Sequence, residues 1–337
     1  MDEITQPSQQ QDVQSCKLEF RGDGLEYFKI WITNIALTII TFGIYSAWAT
    51  VRNKRYFHSN LYLDNHNFNY LADPITILKG RIIAIVAFIA FNIISGINPM
   101  VGGILSLALL VAIPWIICRA LAFDRAMSAY KNIRFAFHGK YGEALMAFLI
   151  WPLLGTISLG ILMPYAILKV NEFLVNNTSY GTSRFKFSAT YKDYGLILLT
   201  MAGAGLVLWT PIWAIQTFAP SLAGLSMIIM IGGYLALMLF FTVTTMNLFY
   251  RSTSIEQHTF TANITMGGLA KVFIINTVLT IITLGLYLPA AQVRMAKYVC
   301  DCLTLEVQGD LDRFTAAQQE STTALGSELG QVFDVGI

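Results

Sequence analysis

Three short polar segments interrupt the long apolar runs of this chain, and each pairs a hydroxyl with a glycine two residues later. The six residues are Thr41, Gly43, Ser158, Gly160, Thr283 and Gly285. A glycine loosens a helix, so in a membrane these segments would expose hydroxyls and free backbone groups at the depth where a solute crosses. The chemistry is that of a permeation path. A helix stop whose hydroxyl bonds a local carbonyl is the other interpretation.

A basic residue follows each glycine at the same distance of nine positions: Arg52, Lys169 and Arg294. On a helix that returns toward water, these bases would contact an anion or substrate, or extend to lipid headgroup phosphates. The shared spacing predicts an internal repeat with two long units and the start of a third, at about 17–133, 134–258 and 259–314.

Other chemistry-bearing patterns are missing from the sequence. The four histidines have no metal-ligand spacing, and Cys300-x-Cys302 lacks a second pair, so we expect no metal and reduced thiols. There is no phosphate-binding P-loop and no G-x-S-x-G nucleophile motif. We therefore expect no catalytic residues, no cofactor and no enzymatic activity.

Composition indicates a lipid environment. The chain is 55% hydrophobic and only 12% charged, which leaves too little polar surface for a soluble protein of 337 residues. Its net charge of +2 and lack of basic runs argue against a nucleic-acid partner. The expected partner is the bilayer itself, whereas the solute or protein partner and the oligomeric state cannot be read from the sequence.

Four uncharged segments are predicted to span the membrane as two hairpins: Ile82–Ile97, Val101–Ile117, Leu196–Phe218 and Leu222–Phe249. The three repeated segments allow two arrangements. If each crosses once, the protein has seven spans and its basic residues divide almost evenly between the two sides. If each enters and leaves by one face, all 22 basic residues fall on one side, as the positive-inside rule prefers. We then expect both termini in the cytoplasm.

The predicted fold class is an all-α polytopic membrane protein with two transmembrane hairpins, three glycine-broken helical segments that are re-entrant or short, and small β-hairpins on the cytoplasmic face. Residues 17–314 form one membrane domain, and residues 1–16 and 315–337 are predicted to be disordered tails. If the glycines mark bends packed against neighbouring helices, Gly43→Ala should destabilise the protein and Gly43→Leu should do so more.

The sequence also resembles a known family. The residues that carry the resemblance are Phe20-x-Gly22, Tyr27-Phe28, Trp31, the run Thr41-Phe42-Gly43-Ile44-Tyr45-Ser46-Ala47-Trp48, Arg52 and Arg55-Tyr56-Phe57. They resemble the YjgN-like family of bacterial inner-membrane proteins, a domain of unknown function, over roughly 18–309. The resemblance implies an integral inner-membrane protein and brings no catalytic or binding residues with it.

Two functional classes remain open from the sequence. One is a channel or transporter for a small solute, and the other is a structural or regulatory membrane protein that binds lipid or a partner protein. The four predicted spans contain no Asp, Glu, Lys, Arg or His, which argues against a carrier built around a membrane carboxylate.

Overall fold

A closed β-barrel of ten antiparallel strands organises the chain. The computed structural model describes residues 13–308, 314–318 and 320. The strands are β1 (Val13–Phe20), β2 (Leu61–Leu63), β3 (His66–Tyr70), β4 (Ser128–Tyr130), β5 (Ile133–Phe137), β6 (Thr178–Tyr180), β7 (Ser183–Phe187), β8 (Thr253–Ile255), β9 (His258–Ala262) and β10 (Leu303–Gln308). Each pairs with its neighbour in sequence, and the first also pairs with the last.

β1 closes the barrel because it is long enough to bond on both sides. Its first half pairs with β10, with Val13 opposite Gln308, and its second half pairs with β2, with Leu18 opposite Leu63. Tight turns join the other strands in pairs. Asp64 and Asn65 have φ of 49° and 57°, the left-handed values that a two-residue hairpin turn requires. In an antiparallel barrel these turns all lie at one end, and the helices all leave from the other.

The barrel shows that the predicted all-α fold with small surface hairpins is wrong. Alternating apolar residues in the sequence are typical of strands at several of these places, including 133–137 and 184–187. Four of the described strands, however, have only three residues, such as Ser128–Tyr130, which is too short for alternation to be recognised. Closure between β1 and β10 joins residues far apart in the chain, which no local pattern reports.

Helical hairpins connect the strand pairs. The helices are α1 (Gly24–Ile40), α2 (Ser46–Ser59), α3 (Pro74–Ile97), α4 (Pro99–Ala126), α5 (Tyr141–Leu145), α6 (Trp151–Ile157), α7 (Met163–Asn176), α8 (Tyr191–Phe218), α9 (Ala223–Arg251), α10 (Met266–Ile282) and α11 (Leu288–Asp301). A π-helical turn, Met146–Ile150, joins α5 to α6. α3, α4, α8 and α9 are long and apolar enough to cross a membrane, in agreement with the four predicted spans.

Five helical hairpins therefore surround the barrel axis, two long and three short. We call the short ones A (α1 and α2), C (α5 to α7) and E (α10 and α11). Helices of adjacent hairpins pack against each other around the ring, and α11 packs on α1 to complete it. Side-chain caps fix where helices begin, because Asp23 accepts bonds from the Leu25 and Glu26 amides.

The interior of the barrel is filled with side chains. Phe135 lies between Phe68 and Phe185, with ring centroids 6.4 and 6.5 Å apart. At the end that carries the turns, residues 314–318 are helical, and the Phe314 ring lies 4.7 Å from that of His258. The buried cluster inside the barrel consists of Cys16, Leu63, Tyr130, Ile133, Tyr180, Ile255, Leu305 and Val307.

The predicted tails fall mostly outside the described residues. β1 begins at Val13, inside the predicted tail 1–16, and the helical residues 314–318 extend into the predicted tail 315–337. Residues 1–12 and 321–337 are outside the described part of the chain, so the prediction for them stays a prediction.

Candidate functional site in the hairpin turns and two cavities

Hairpin A reverses direction at the first hydroxyl and glycine pair. Thr41 Oγ1 donates to the Leu37 carbonyl at 2.7 Å and accepts from the Tyr45 amide at 2.9 Å. The Gly43 amide donates to the Thr38 carbonyl at 2.8 Å. The hydroxyl thus bonds the last turn of α1 and the first residue after the bend.

Hairpins C and E have the same turn. Ser158 Oγ donates to the Gly155 carbonyl and accepts from the Leu162 amide, both at 3.0 Å. Thr283 Oγ1 donates to the Leu279 carbonyl at 2.7 Å and accepts from the Tyr287 amide at 3.0 Å. All three hydroxyls stabilise their own turns, as the helix-stop interpretation expects.

The three glycines are required by backbone conformation and not by close packing. Gly43, Gly160 and Gly285 have φ of 90°, 92° and 93°, a region that L-residues with side chains rarely adopt. A Cβ on Gly43 or Gly160 would meet no heavy atom within 4 Å, and on Gly285 only the end of Leu288 at 4.0 Å. The expectation that neighbouring helices pack against these glycines is therefore wrong.

The tips of the short hairpins are apolar and open. The residues before the glycines, Phe42, Leu159 and Leu284, are 97%, 94% and 94% exposed. Each also has a left-handed φ near 50°. Such exposure of large apolar side chains in a strained turn indicates a surface that contacts lipid or another apolar partner.

The three predicted anion-contact bases do not share a site, because each lies on the second helix of its own hairpin. Arg52 is exposed on α2. Lys169 Nζ on α7 bonds Glu172 Oε2 at 2.7 Å. The Arg294 guanidinium on α11 lies 5.5 Å from the centre of the Tyr287 ring, and its Nη1 is buried without a hydrogen-bond partner.

A polar cavity of about 630 Å³ opens in hairpin C, which we call the π-turn cavity. Met146 and Ala147 of the π-helical turn line one side, and α7 lines the other. Its charged residues are Glu143, Lys169, Glu172 and Arg184. Trp151 lies at its edge and contacts the Tyr165 ring edge-on at 4.4 Å.

A second cavity of about 310 Å³ lies on the barrel axis, between the Phe68, Phe135 and Phe185 layer and the ends of the helices. Its polar residues include His58 and Arg125. His58 Nδ1 lies 2.8 Å from the Lys54 carbonyl, and burial lowers the pKa of the imidazole. Arg125 Nε is buried without a hydrogen-bond partner.

Sequence reasoning missed both cavities and a pair of buried amides. Asn34 on α1 donates to Asn53 Oδ1 at 2.8 Å, and Asn276 on α10 donates to the Ala291 carbonyl at 3.1 Å. Each asparagine precedes its turn hydroxyl by seven residues, a spacing that could have revealed them. The amides hold the two helices of hairpins A and E together. Among the described residues, no group of three or more His, Cys, Asp or Glu could hold a metal ion.

Comparison with known proteins places the chain among bacterial inner-membrane proteins. It is 26% identical to inner membrane protein YjgN of Escherichia coli K12 over 223 residues, which cover 54% of this chain and 55% of that protein. It is 23% identical to YjgN of Salmonella typhimurium LT2 over 361 residues, which cover 90% and 91%. The chain thus spans about half the length of the Escherichia coli relatives that it matches.

No solved structure matches this chain. The relatives and the four apolar helices together support an inner-membrane location. A family described as "Bacterial protein of unknown function (DUF898)" matches residues 15–332. The chain belongs to this family.

Proposed function

We propose that this chain is a structural or regulatory inner-membrane protein that binds lipid between and around its helical hairpins, with the barrel as a rigid base on the cytoplasmic side. The observation that carries the proposal is the closed barrel, filled with aliphatic and aromatic side chains, from one end of which five helical hairpins project. The side chains packed inside the described part of the barrel argue against a solute route along its axis. The turn hydroxyls bond within their own turns, so they are not free to contact a solute.

Hairpin lengths support partial insertion of hairpins A, C and E. At 1.5 Å per residue, the 17 residues of α1 extend about 25 Å from the barrel, whereas the 28 residues of α8 extend about 42 Å. If the long hairpins reach the far side of a core about 30 Å thick, the short tips stop about 17 Å below it. Phe42, Leu159 and Leu284 would then lie near mid-bilayer, which accounts for their exposure.

The distribution of basic residues supports a cytoplasmic position of the barrel. Most described Lys and Arg residues lie on the barrel or in the half of a helix nearest to it, including Lys79 and Arg81 near the start of α3 and Arg119 near the end of α4. The exceptions, Arg52, Lys169 and Arg294, lie at the middle of their 14-residue helices. The positive-inside rule then favours a cytoplasmic barrel.

Fusions to alkaline phosphatase, which is active only outside the cytoplasm, test this orientation. The enzyme fused after Pro99 or Pro220 should be active, and the enzyme fused after Asn65 or Gly181 should be inactive. The reverse pattern would contradict the orientation.

One preparation of purified protein distinguishes lipid binding from solute permeation. Purified protein should retain phospholipid through detergent exchange, and proteoliposomes should show the same leak of ions and small solutes as protein-free liposomes. A saturable flux that depends on the protein, together with complete loss of lipid, would refute the proposal.

A small-solute transporter is the second candidate, and the axial cavity favours it. The Nε of the half-buried Arg125 is buried and lacks a hydrogen-bond partner, and aromatic rings form the floor of the cavity. A solute bound there would require a lateral path between hairpins. If flux is found, Arg125→Gln should reduce it, and the exposed Arg134→Gln should not.

A further inference from the structure

We propose that the π-turn cavity of hairpin C binds the headgroup of a zwitterionic phospholipid, with its phosphodiester at Lys169 and Arg184 and its primary ammonium at Glu143 and Glu172. This inference rests on the proposed lipid-binding function and names the ligand class at one position.

The cavity exists because hairpin C differs locally from hairpins A and E. The first helix of each occupies 17 residues, and in A and E it is an uninterrupted α-helix, Gly24–Ile40 and Met266–Ile282. In hairpin C the same length contains the π-helical turn Met146–Ile150. A π-helical turn widens the helix and occurs often at functional sites. Here the widened segment faces α7 across the cavity.

Charge in the cavity is balanced and not of one sign. Lys169 Nζ bonds Glu172 Oε2 at 2.7 Å, with about a third of each side chain exposed. Glu143 accepts a bond from Asn177 Nδ2 at 3.1 Å. Two cations suit a phosphodiester, and two carboxylates suit an ammonium that can donate hydrogen bonds. A purely anionic headgroup would lie beside two carboxylates, and a quaternary ammonium has no N–H group to donate.

A side-chain hydrogen bond ties α7, one wall of the cavity, to β7. Asn176 Oδ1, at the end of α7, accepts from the Phe187 amide of β7 at 2.8 Å. This bond ties α7 to the strand that carries Arg184. The cavity is therefore built from a helix and a strand fixed to each other, and it does not depend on a mobile loop.

The depth of the π-turn cavity in the proposed membrane position agrees with a headgroup ligand. Lys169 is the seventh residue of α7, about 10 Å along that helix from the turn, and Trp151 precedes the tip residue Leu159 by eight residues, about 12 Å. With the tip near mid-bilayer, half of a 30 Å core puts both residues within about 5 Å of the boundary of the hydrocarbon. Tryptophan is enriched at this boundary. The cavity volume lies within the range of small-molecule sites, about 300–1,000 Å³.

Native mass spectrometry of the full chain provides the test. Detergent-purified protein is incubated with phosphatidylethanolamine, phosphatidylcholine or phosphatidylglycerol at equal concentration, and bound lipid is counted. We expect phosphatidylethanolamine to bind most tightly. Lys169→Gln, Arg184→Gln and Glu143→Gln should each weaken it roughly tenfold, the effect of losing one charge-assisted hydrogen bond. The matched control is Arg134→Gln, at the equivalent second position of β5, which should leave binding unchanged.

Two further measurements make the outcome decisive. Thermal unfolding of each variant separates loss of binding from loss of folding. Soluble glycerophosphoethanolamine tests whether the headgroup alone suffices, and binding of it as tight as that of phosphatidylethanolamine would assign the site to a free phosphodiester and not to membrane lipid. If lipid binds but with no headgroup preference, or if Arg134→Gln weakens binding as much as Arg184→Gln, the headgroup site is refuted while lipid binding stands. Absence of any bound lipid would refute both.

Discussion

Substitution of Gly43 by alanine separates backbone conformation from packing in the hairpin turns. Gly43 has φ of 90°, and a side chain there strains the backbone by about 1–3 kcal/mol. Because a Cβ at this position would meet no heavy atom within 4 Å, steric overlap adds nothing. Gly43→Ala and Gly43→Leu should therefore destabilise the protein by similar amounts.

Gly80 in α3 is the matched control. It also has open space around its Cβ, but it lies within a regular helix, where alanine is favoured over glycine by roughly 1 kcal/mol. Gly80→Ala should therefore stabilise the protein slightly. The two alanine variants differ only in backbone conformation, so their effects should have opposite signs.

Thermal or denaturant unfolding of the detergent-purified protein measures the difference. Gly160→Ala and Gly285→Ala should match Gly43→Ala, and losses in the triple variant should add, because the turns belong to separate hairpins. Alanine variants at all three positions that are unaffected or stabilised would refute the turn geometry. A much greater loss for Gly43→Leu than for Gly43→Ala would show that packing and not conformation requires the glycine.

Three other perturbations have defined outcomes. Thr41→Val leaves the Tyr45 amide without its acceptor and should lower the free energy of unfolding by about 1–3 kcal/mol, while Thr41→Ser should be nearly neutral in the same assay. Burial lowers the folded-state pKa of His58 and His258 below the ordinary value of 6.5. The stability that these neutral histidines contribute should therefore be complete above pH 6.5 and decline as pH falls through the lowered pKa values. The free energy of unfolding, measured from pH 5 to 8, should depend less on pH in His58→Gln and His258→Gln. Gln318→Ala removes the acceptor of hydrogen bonds from the Thr182 amide and hydroxyl at 2.9 and 2.8 Å. We therefore expect faster proteolysis at that end of the barrel. Unchanged proteolysis would show that residues 314–318 do not protect it.

Local sequence signals predicted the helices well because their causes are local. Uncharged runs of about 20 residues predict spans from composition alone, and α3, α4, α8 and α9 agree with those predictions. The pattern of a hydroxyl residue two positions before a glycine predicted where the short segments bend. Gly43 is nevertheless needed for its φ, which a sequence does not display separately from packing.

The barrel and the π-turn cavity could not be predicted for physical reasons. Strands of three residues, such as Thr178–Tyr180, gain their stability from pairing with both neighbours, not from their own alternation. Arg184 and Glu143 lie 41 positions apart and line the same cavity because β7 is bonded to the end of α7. The spacing of Lys169 after its glycine predicts a base near the headgroups, which stays a prediction, and nothing in the pattern indicated its bond to Glu172.

Cysteine labelling in the intact membrane tests the proposed insertion most directly. In a background with the four native cysteines replaced, Phe42→Cys, Leu159→Cys and Leu284→Cys should resist a membrane-impermeant maleimide from both aqueous sides. Asn65→Cys, in a barrel turn, should react from the cytoplasmic side alone. Labelling of any hairpin tip from the periplasmic side would mean that the segment spans the membrane, and it would contradict a barrel base carrying partially inserted hairpins.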